Sequence, residues 1–144
     1  MRDDVLIPNE ESWPVKVYNY FLWVLSFFCL SLGILAWVRL VGVFPGELWR
    51  FDLMSEDWKV LTVFLAIVYP IASCGLWMRS KWGIVLWLIA GTIESVALTI
   101  YSKDYIWFPK IAVFHCMFLL IFIVLRVLIF LQNRKNMNTK TRYT

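Results

Sequence analysis

The sequence predicts an all-α integral membrane protein in which four transmembrane helices form a bundle with short loops. Of its 144 residues, 61% are hydrophobic and 18% are aromatic, and the mean hydropathy is +0.70, whereas soluble domains are closer to half apolar. Four runs reach the length of about 20 largely apolar residues that crosses a bilayer; they are 17–38, 58–78, 82–101 and 111–131. Short loops and two tails, 1–16 and 132–144, remain, so we expect a single membrane domain over residues 1–144.

The first run is expected to stay in the mature protein as a membrane anchor. Its apolar stretch is longer than that of a cleavable signal peptide, four acidic residues precede it, and no small-residue cleavage site follows it. The Pro45-Gly46 pair is expected to end its helix, because both residues favour turns. The segment 44–57 then mixes apolar and charged residues, which is typical of a short stretch lying in the membrane interface.

Each of the other three runs carries a polar or helix-bending residue. Pro70, in the second run, has no backbone N–H and therefore frees a carbonyl in mid-membrane. The third run follows a tight turn and contains Glu94, and the fourth contains His115 and Arg126. None of the runs has the polar stripe that a helix of a soluble bundle needs, so the sequence favours the membrane over a soluble bundle.

Cysteine and histidine usage excludes several function classes. Cys29, Cys74 and Cys116 lie inside apolar runs at different depths, without a C-x-x-C pair, so we expect small core residues and no disulfide. A membrane thiol oxidoreductase needs paired cysteines near a membrane face, and that class is excluded. Because His115 is the one histidine, a bis-histidine haem is excluded, and we predict neither a metal site nor a cofactor.

The distribution of basic residues predicts the orientation of the chain. The two tails and the turn 79–81 together hold eight Lys and Arg, whereas the loops and flanks on the other side hold five. By the positive-inside rule, both termini are expected in the cytoplasm. The formal charge of +4 then reflects topology and attraction to anionic lipid headgroups, and no folded basic surface is available for nucleic acid.

Glu94 is the most informative single residue, since an ionisable group deep in a bilayer costs several kcal/mol unless it is paired, protonated or hydrated. At about 1.5 Å of rise per residue, Glu94 lies roughly 10 Å and His115 roughly 6 Å below the outer surface. Arg39 lies near the outer end of the first run. These three residues are predicted to form an intramembrane polar cluster, with Arg39 as the partner of Glu94.

The neighbours of Glu94 predict that it faces the bundle interior, because small residues let helices approach closely in lipid. Four positions are predicted to serve helix packing: Gly33, Pro70, Gly91 and Ser95. The cluster itself has three interpretations: an ion pair that fixes helix register, a site that handles a proton or a substrate, or a protonated Glu94 bonded to Ser or Thr hydroxyls. No catalytic residue is predicted.

Several short strings resemble one known family. They are R-L-V-G at 39–42, R-F-D at 50–52, Y-P at 69–70 and G-L-W…W-G…L-W at 75–87, followed by Glu94 and His115. In these strings the chain resembles a family of small four-helix inner-membrane proteins from alphaproteobacteria whose function is unknown. The resemblance implies a bacterial inner membrane and four spans, and it brings no activity.

Three functions are compatible with these features. The first is a non-enzymatic multi-pass membrane protein that scaffolds or modulates a membrane complex. The second is a small oligomeric proton-coupled transporter or channel that uses Glu94. The third is a membrane enzyme acting on a lipid or quinone, which would need convergent catalytic groups that the sequence does not offer. The expected partners are the lipid bilayer and either a membrane protein or further copies of this chain, and not nucleic acid.

Overall fold

The computed structural model describes residues 12–46, 49–100 and 109–140. Its helices are α1 (Trp13–Val41), α2 (Glu56–Trp77), α3 (Lys81–Ile100) and α4 (Pro109–Lys140), with a 3-10 helix at Phe51–Leu53 between α1 and α2. Each of the four α-helices is long and apolar enough to cross a membrane, and the described residues contain no strand. The predicted all-α fold with four membrane-spanning helices is therefore confirmed.

The helices are longer at some ends than the apolar runs that predicted them. Helix α1 begins at Trp13 with Pro14 in its first turn, a position where the missing N–H of proline is not needed. Helix α4 continues as far as Lys140, so the predicted tail 132–144 begins as helix. Apolarity locates the part of a helix that lies in lipid, whereas the helix itself continues for as long as its backbone bonds propagate.

Helix α1 ends at Val41, before the predicted breaker Pro45-Gly46. Gly42 follows the last helical residue with φ of 69°, and its N–H donates to the carbonyl oxygens of Val38 at 3.1 Å and Arg39 at 3.2 Å. Glycine adopts this left-handed conformation without a steric penalty, so it is the common residue after a helix C-terminus. The glycine cap therefore acts first, and Pro45 lies in the loop beyond it.

The four helices pack in a square, with α1 on α2, α2 on α3, and α4 closing the bundle against α1 and α3. The α1–α2 and α2–α3 contacts are the most extensive. Close approach of α2 to its two neighbours depends on glycine: a Cβ on Gly33 would lie 2.8 Å from Cδ of Pro70, and one on Gly75 would lie 2.6 Å from Cα of Gly83. Helices α2 and α4 lie on a diagonal, where Tyr69 of α2 bonds to His115 of α4.

Hydrogen bonds between α1 and α2 satisfy polar groups that lipid could not satisfy. Ser26 and Ser73 each donate to the other's backbone carbonyl at 2.9 Å. Further along, Nε1 of Trp37 donates to the carbonyl oxygen of Ala66 at 2.9 Å. Ala66 precedes Pro70 by four residues, so this carbonyl is the one that the proline leaves without a helical donor. Trp37 thus satisfies a backbone carbonyl inside the bundle.

Replacing Trp37 by phenylalanine is expected to cost about 1–2 kcal/mol, between the ~0.6 kcal/mol average for bonds between membrane helices and the ~1–3 kcal/mol cost of an unsatisfied buried group. Pro70→Ala is the matched background, because alanine supplies a backbone N–H to the same carbonyl. In that background Trp37→Phe should cost clearly less. Unfolding in detergent of the unmodified protein, the two single variants and the double variant measures the loss of stability in each background. Equal losses would contradict the assignment of the Trp37 bond to the carbonyl that Pro70 frees.

The loop after α1 holds a small set of polar contacts. Nη2 of Arg50 lies 2.7 Å from Oδ2 of Asp52, and this bond holds the pKa of the exposed Asp52 carboxyl below its usual value. Met54 is buried and its sulfur accepts a hydrogen bond from Thr62 at 3.7 Å. Met54 therefore anchors the end of the loop to α2.

Candidate functional site

Glu94 lies inside the bundle, with 5% of its surface exposed. Ala90 and Gly91, one turn earlier on α3, are buried on the same side. Helix α3 thus turns its small residues and its carboxylate toward the other helices. This placement makes the protein, and not lipid or water, responsible for satisfying the carboxylate.

Two side chains from two other helices bond to each other next to Glu94, and one of them bonds to its carboxylate. The hydroxyl of Tyr69, on α2, donates a hydrogen bond to Oε2 of Glu94. The same hydroxyl oxygen lies 2.8 Å from Nε2 of His115, on α4, and that nitrogen lies 3.5 Å from Oε2 of Glu94. Tyr69 and His115 are buried as well. We call these three residues the Tyr–Glu–His cluster.

Gly91 makes room for the imidazole of His115. A Cβ on Gly91 would lie 2.9 Å from Nε2 of His115 and closer still to Cδ2 of the same ring. From the opposite side, Phe28 of α1 packs edge-on to the imidazole, with ring centroids 5.6 Å apart. All four helices therefore contribute to holding His115 against Tyr69 and Glu94.

Arg39, the predicted partner of Glu94, is not within ion-pair distance of it among the described residues. Its guanidinium carbon lies 5.4 Å from the ring centre of Trp49, and its buried Nε makes no hydrogen bond to a described residue. An electrostatic interaction with Glu94 remains at longer range. The end of α1 places Arg39 beneath the following loop, where Trp49 covers it.

Tyr69 takes the place that the sequence analysis predicted for Arg39. An aromatic residue in an apolar run is usually a packing residue, so the sequence alone predicts no polar partner for its hydroxyl. The available signal was its position: Tyr69 lies three residues after Ala66 and four before Ser73, on the face of α2 that carries its small and polar residues. A hydroxyl on that face points to a polar partner inside the bundle.

Hydrogen-bond counting gives the proton positions for the state in which Glu94 is ionised. A tyrosine hydroxyl has one proton, and Tyr69 directs it toward Glu94. The bond between Tyr69 and His115 must then use a proton on Nε2 of His115. The other ring nitrogen, Nδ1, is buried and makes no bond of good geometry to a described residue, with the Ile111 carbonyl in its neighbourhood.

A cavity of about 190 Å³ lies beside the cluster, between α3 and α4. His115, Gly91, Ser95 and Thr92 contribute to its wall. Ser95, predicted as a helix-packing residue, is half-buried and lines this cavity. The remaining lining residues are Trp87, Leu88, Val96, Cys116 and Leu119. Water-sized space therefore reaches the histidine end of the cluster.

The cluster lies within the part of the chain that matches a known family. No curated protein and no solved structure matches the chain. One family model matches residues 16–133, which include most of α1, all of α2 and α3, and the apolar part of α4. This match confirms the predicted resemblance to a family of unknown function, while the alphaproteobacterial origin stays a prediction. With four membrane-spanning helices and a match over most of its length, the chain belongs to the family of unknown function DUF6163.

Proposed function

We propose that this protein is a non-enzymatic multi-pass membrane protein that takes up and releases a proton at the Tyr–Glu–His cluster, as the proton site of a small transporter or channel. The observation that carries the proposal is the continuous hydrogen-bond chain from His115 through Tyr69 to Glu94. Each of the three groups can both accept and give up a proton. Groups of this kind inside a membrane commonly form proton relays.

The hydrogen-bond chain from His115 to Glu94 can accept one proton without the participation of a further residue. A proton that binds Nδ1 of His115 allows the Nε2 proton to pass to the oxygen of Tyr69, and the hydroxyl proton of Tyr69 passes to the carboxylate of Glu94. The products are a neutral carboxylic acid, a neutral tyrosine and a neutral imidazole protonated on Nδ1. The direction of both hydrogen bonds has reversed, and the release of the proton reverses them again.

The chemical identity of the groups next to Glu94 favours proton transfer over a fixed ion pair. A guanidinium in contact with Glu94 would form a fixed ion pair, because arginine does not lose its proton in proteins. The described partners are instead a phenol and an imidazole. Because a charged carboxylate in the bilayer is costly, neutralisation by a passing proton gives the buried Glu94 two states that differ by one charge.

The cavity between α3 and α4 supplies a route to the histidine. Its volume of about 190 Å³ has room for water molecules. The hydroxyls of Ser95 and Thr92 in its wall can orient such waters toward His115. Such waters would carry a proton to the imidazole of His115 from the α3–α4 side, while Glu94 lies at the other end of the hydrogen-bond chain.

The location that we propose is the bacterial inner membrane, with both termini in the cytoplasm and several copies of the chain acting together. The excess of basic residues in the tails and the turn 79–81 supports this orientation. Helix α3 then runs outward from Lys81, and Glu94 lies in the outer half of the bilayer. His115 lies near the outer end of α4 and at the same level.

Proton flux into vesicles tests the proposal. We expect the reconstituted protein to acidify vesicles loaded with a pH-sensitive dye when a potassium diffusion potential drives protons inward, and Glu94→Gln to reduce the rate to that of empty vesicles. Tyr69→Phe leaves a gap of 3.5 Å between Nε2 and Oε2, too long for a good bond. It should slow the flux roughly 100-fold, the low end of what a positioned proton-transfer group contributes.

Tyr18→Phe is the matched control for Tyr69→Phe. Tyr18 is a half-buried tyrosine of α1 that packs against Phe122, with ring centroids 6.2 Å apart, away from the cluster. Its loss should leave the flux unchanged. A folded Tyr69→Phe or Glu94→Gln protein with the flux of the unmodified chain would refute the proton site.

A second function, the scaffolding or modulation of a larger membrane complex, is favoured by α4. Only 17% of its apolar window is buried inside the bundle, and large side chains such as Leu120 and Phe130 point outward. A transmembrane helix of another protein fits such a face, and the cluster would then fix the register of α2, α3 and α4. A second protein retained in equal amount in mild detergent, together with absent proton flux, would support this function instead.

A further inference from the structure

The geometry points to a binding site for the phosphate group of an anionic phospholipid, at the end of the bundle where α1 begins and α2 turns into α3. This site is separate from the Tyr–Glu–His cluster and does not depend on the proposed function. A cavity of about 200 Å³ lies there, lined by Lys16, Asn19, Tyr20, Trp23 and Arg79. Two cations from distant parts of the chain meet in it, and no acidic residue lines it within the described part of the chain.

The cavity matches a phosphate group in size and in chemistry. At ~30 Å³ for a water, a volume of about 200 Å³ has room for the phosphorus and four oxygens of a phosphodiester and for part of the glycerol. A guanidinium offers a planar set of donors that suits phosphate oxygens, and an ammonium adds a point charge. Lys16 and Tyr20 lie one turn apart on α1, so an ammonium and a phenol hydroxyl share one side of the cavity.

The guanidinium of Arg79 is held in place by aromatic rings. Its central carbon lies 5.8 Å from the ring centre of Trp23. Trp23 in turn stacks on Trp77, with ring centroids 5.5 Å apart and an angle of 13° between the planes. The interaction of the cation with the aromatic face restricts a side chain that is otherwise flexible. The cation is therefore positioned before any ligand arrives.

The backbone at Arg79 gives an independent reason to look for a role of its side chain. Arg79 has φ of 55° in the turn after α2, where the N–H of Arg79 donates to Leu76 and that of Ser80 donates to Gly75, both at 2.9 Å. This left-handed position after a helix is the one that glycine favours. The turn itself would be served better by glycine, which points to a role for the arginine side chain beyond the backbone.

The place of the cavity identifies the source of the phosphate. The first turns of α1 and the last turn of α2 lie at one end of the apolar spans, which is the level of the lipid headgroups. Tryptophan and tyrosine are the residues that occupy this level. Among the described residues, two cations line the cavity and no carboxylate does that could receive a choline or an ethanolamine, which favours a headgroup with net negative charge, such as that of phosphatidylglycerol.

Binding of short-chain phosphatidylglycerol to the full chain in detergent tests the site, measured by native mass spectrometry at fixed salt. We expect short-chain phosphatidylglycerol to bind more tightly than short-chain phosphatidylcholine. Arg79→Gly should weaken it about tenfold or more, as expected for the loss of a hydrogen bond to a charged group. Because glycine suits the left-handed backbone, the variant should fold at least as well as the unmodified chain, so misfolding does not explain a loss of binding.

Lys81→Gln is the matched control. Lys81 is an exposed cation two residues further along and does not line the cavity, so its loss should change the affinity less than Arg79→Gly does. Equal losses in the two variants would show diffuse attraction and overturn the site. Unchanged binding in Arg79→Gly would overturn it too. Equally tight binding of glycerol phosphate without acyl chains would overturn the assignment to a lipid.

Discussion

Replacing Glu94 by leucine is expected to destabilise the bundle by about 2 kcal/mol, because the buried hydroxyl of Tyr69 would lose its acceptor and keep only its bond to His115. Each buried polar group left unsatisfied costs about 1–3 kcal/mol. Loss of the carboxylate also removes a costly group from the bilayer, which offsets part of this cost. Glu94→Gln keeps an oxygen that accepts the Tyr69 hydroxyl proton, so its cost should stay below about 1 kcal/mol. Thermal unfolding in detergent measures the loss of stability in the two variants.

A triple variant distinguishes the loss of bonds from the loss of packing. Tyr69→Phe, Glu94→Leu and His115→Phe together remove every polar atom of the cluster and keep much of its volume. Buried polar groups replaced together by apolar residues are often neutral for stability. We therefore expect the triple variant to be more stable than Glu94→Leu alone, and to show no proton flux. A triple variant less stable than the single one would mean that shape, and not hydrogen bonding, determines the cost.

Gly91→Ala is expected to destabilise the protein by about 3 kcal/mol, although alanine is the better helix former by roughly 1 kcal/mol. The added methyl group would overlap the imidazole of His115. Overpacking of a core costs about 1–3 kcal/mol, and a displaced imidazole also loses its bond to Tyr69. The overlap thus outweighs the gain in helix propensity.

His115→Ala is the background that isolates this contact. Without the imidazole, the methyl group of Gly91→Ala enters free space, and the change should be neutral or stabilising. The difference between the two backgrounds gives the interaction energy of the pair, obtained from unfolding of the four proteins in one detergent. An equal loss of stability in both backgrounds would mean that the added methyl group clashes with a group other than His115.

Much of the fold could be predicted from the sequence, because lipid imposes a simple requirement. A run of about 20 apolar residues has few alternatives to a membrane-spanning helix, and all four runs are helical. The end of α1 shows the limit of this approach. The Pro45-Gly46 pair is the stronger turn signal in the sequence, but Gly42 comes first and can satisfy the free carbonyls of the last turn.

The candidate site could be predicted in part. The small face of α3 indicated that Glu94 points into the bundle, and depth along the helices placed His115 at the same level. Which side chain touches the carboxylate depends on helix rotation and on side-chain rotamers, and charge complementarity carries no information on either. Tyr69 therefore occupies the position predicted for Arg39, whose guanidinium lies against Trp49 instead.

The close pairing of Gly75 with Gly83 has a consequence for the order in which the protein is built. These glycines hold α2 and α3 together as a helical hairpin, and that hairpin already contains both Tyr69 and Glu94. Because α2 and α3 precede α4 in the chain, this hairpin enters the membrane before α4 does. The carboxylate can thus acquire its tyrosine partner before His115 joins the cluster, and the hairpin can leave the insertion machinery as one unit whose most polar group already has a partner.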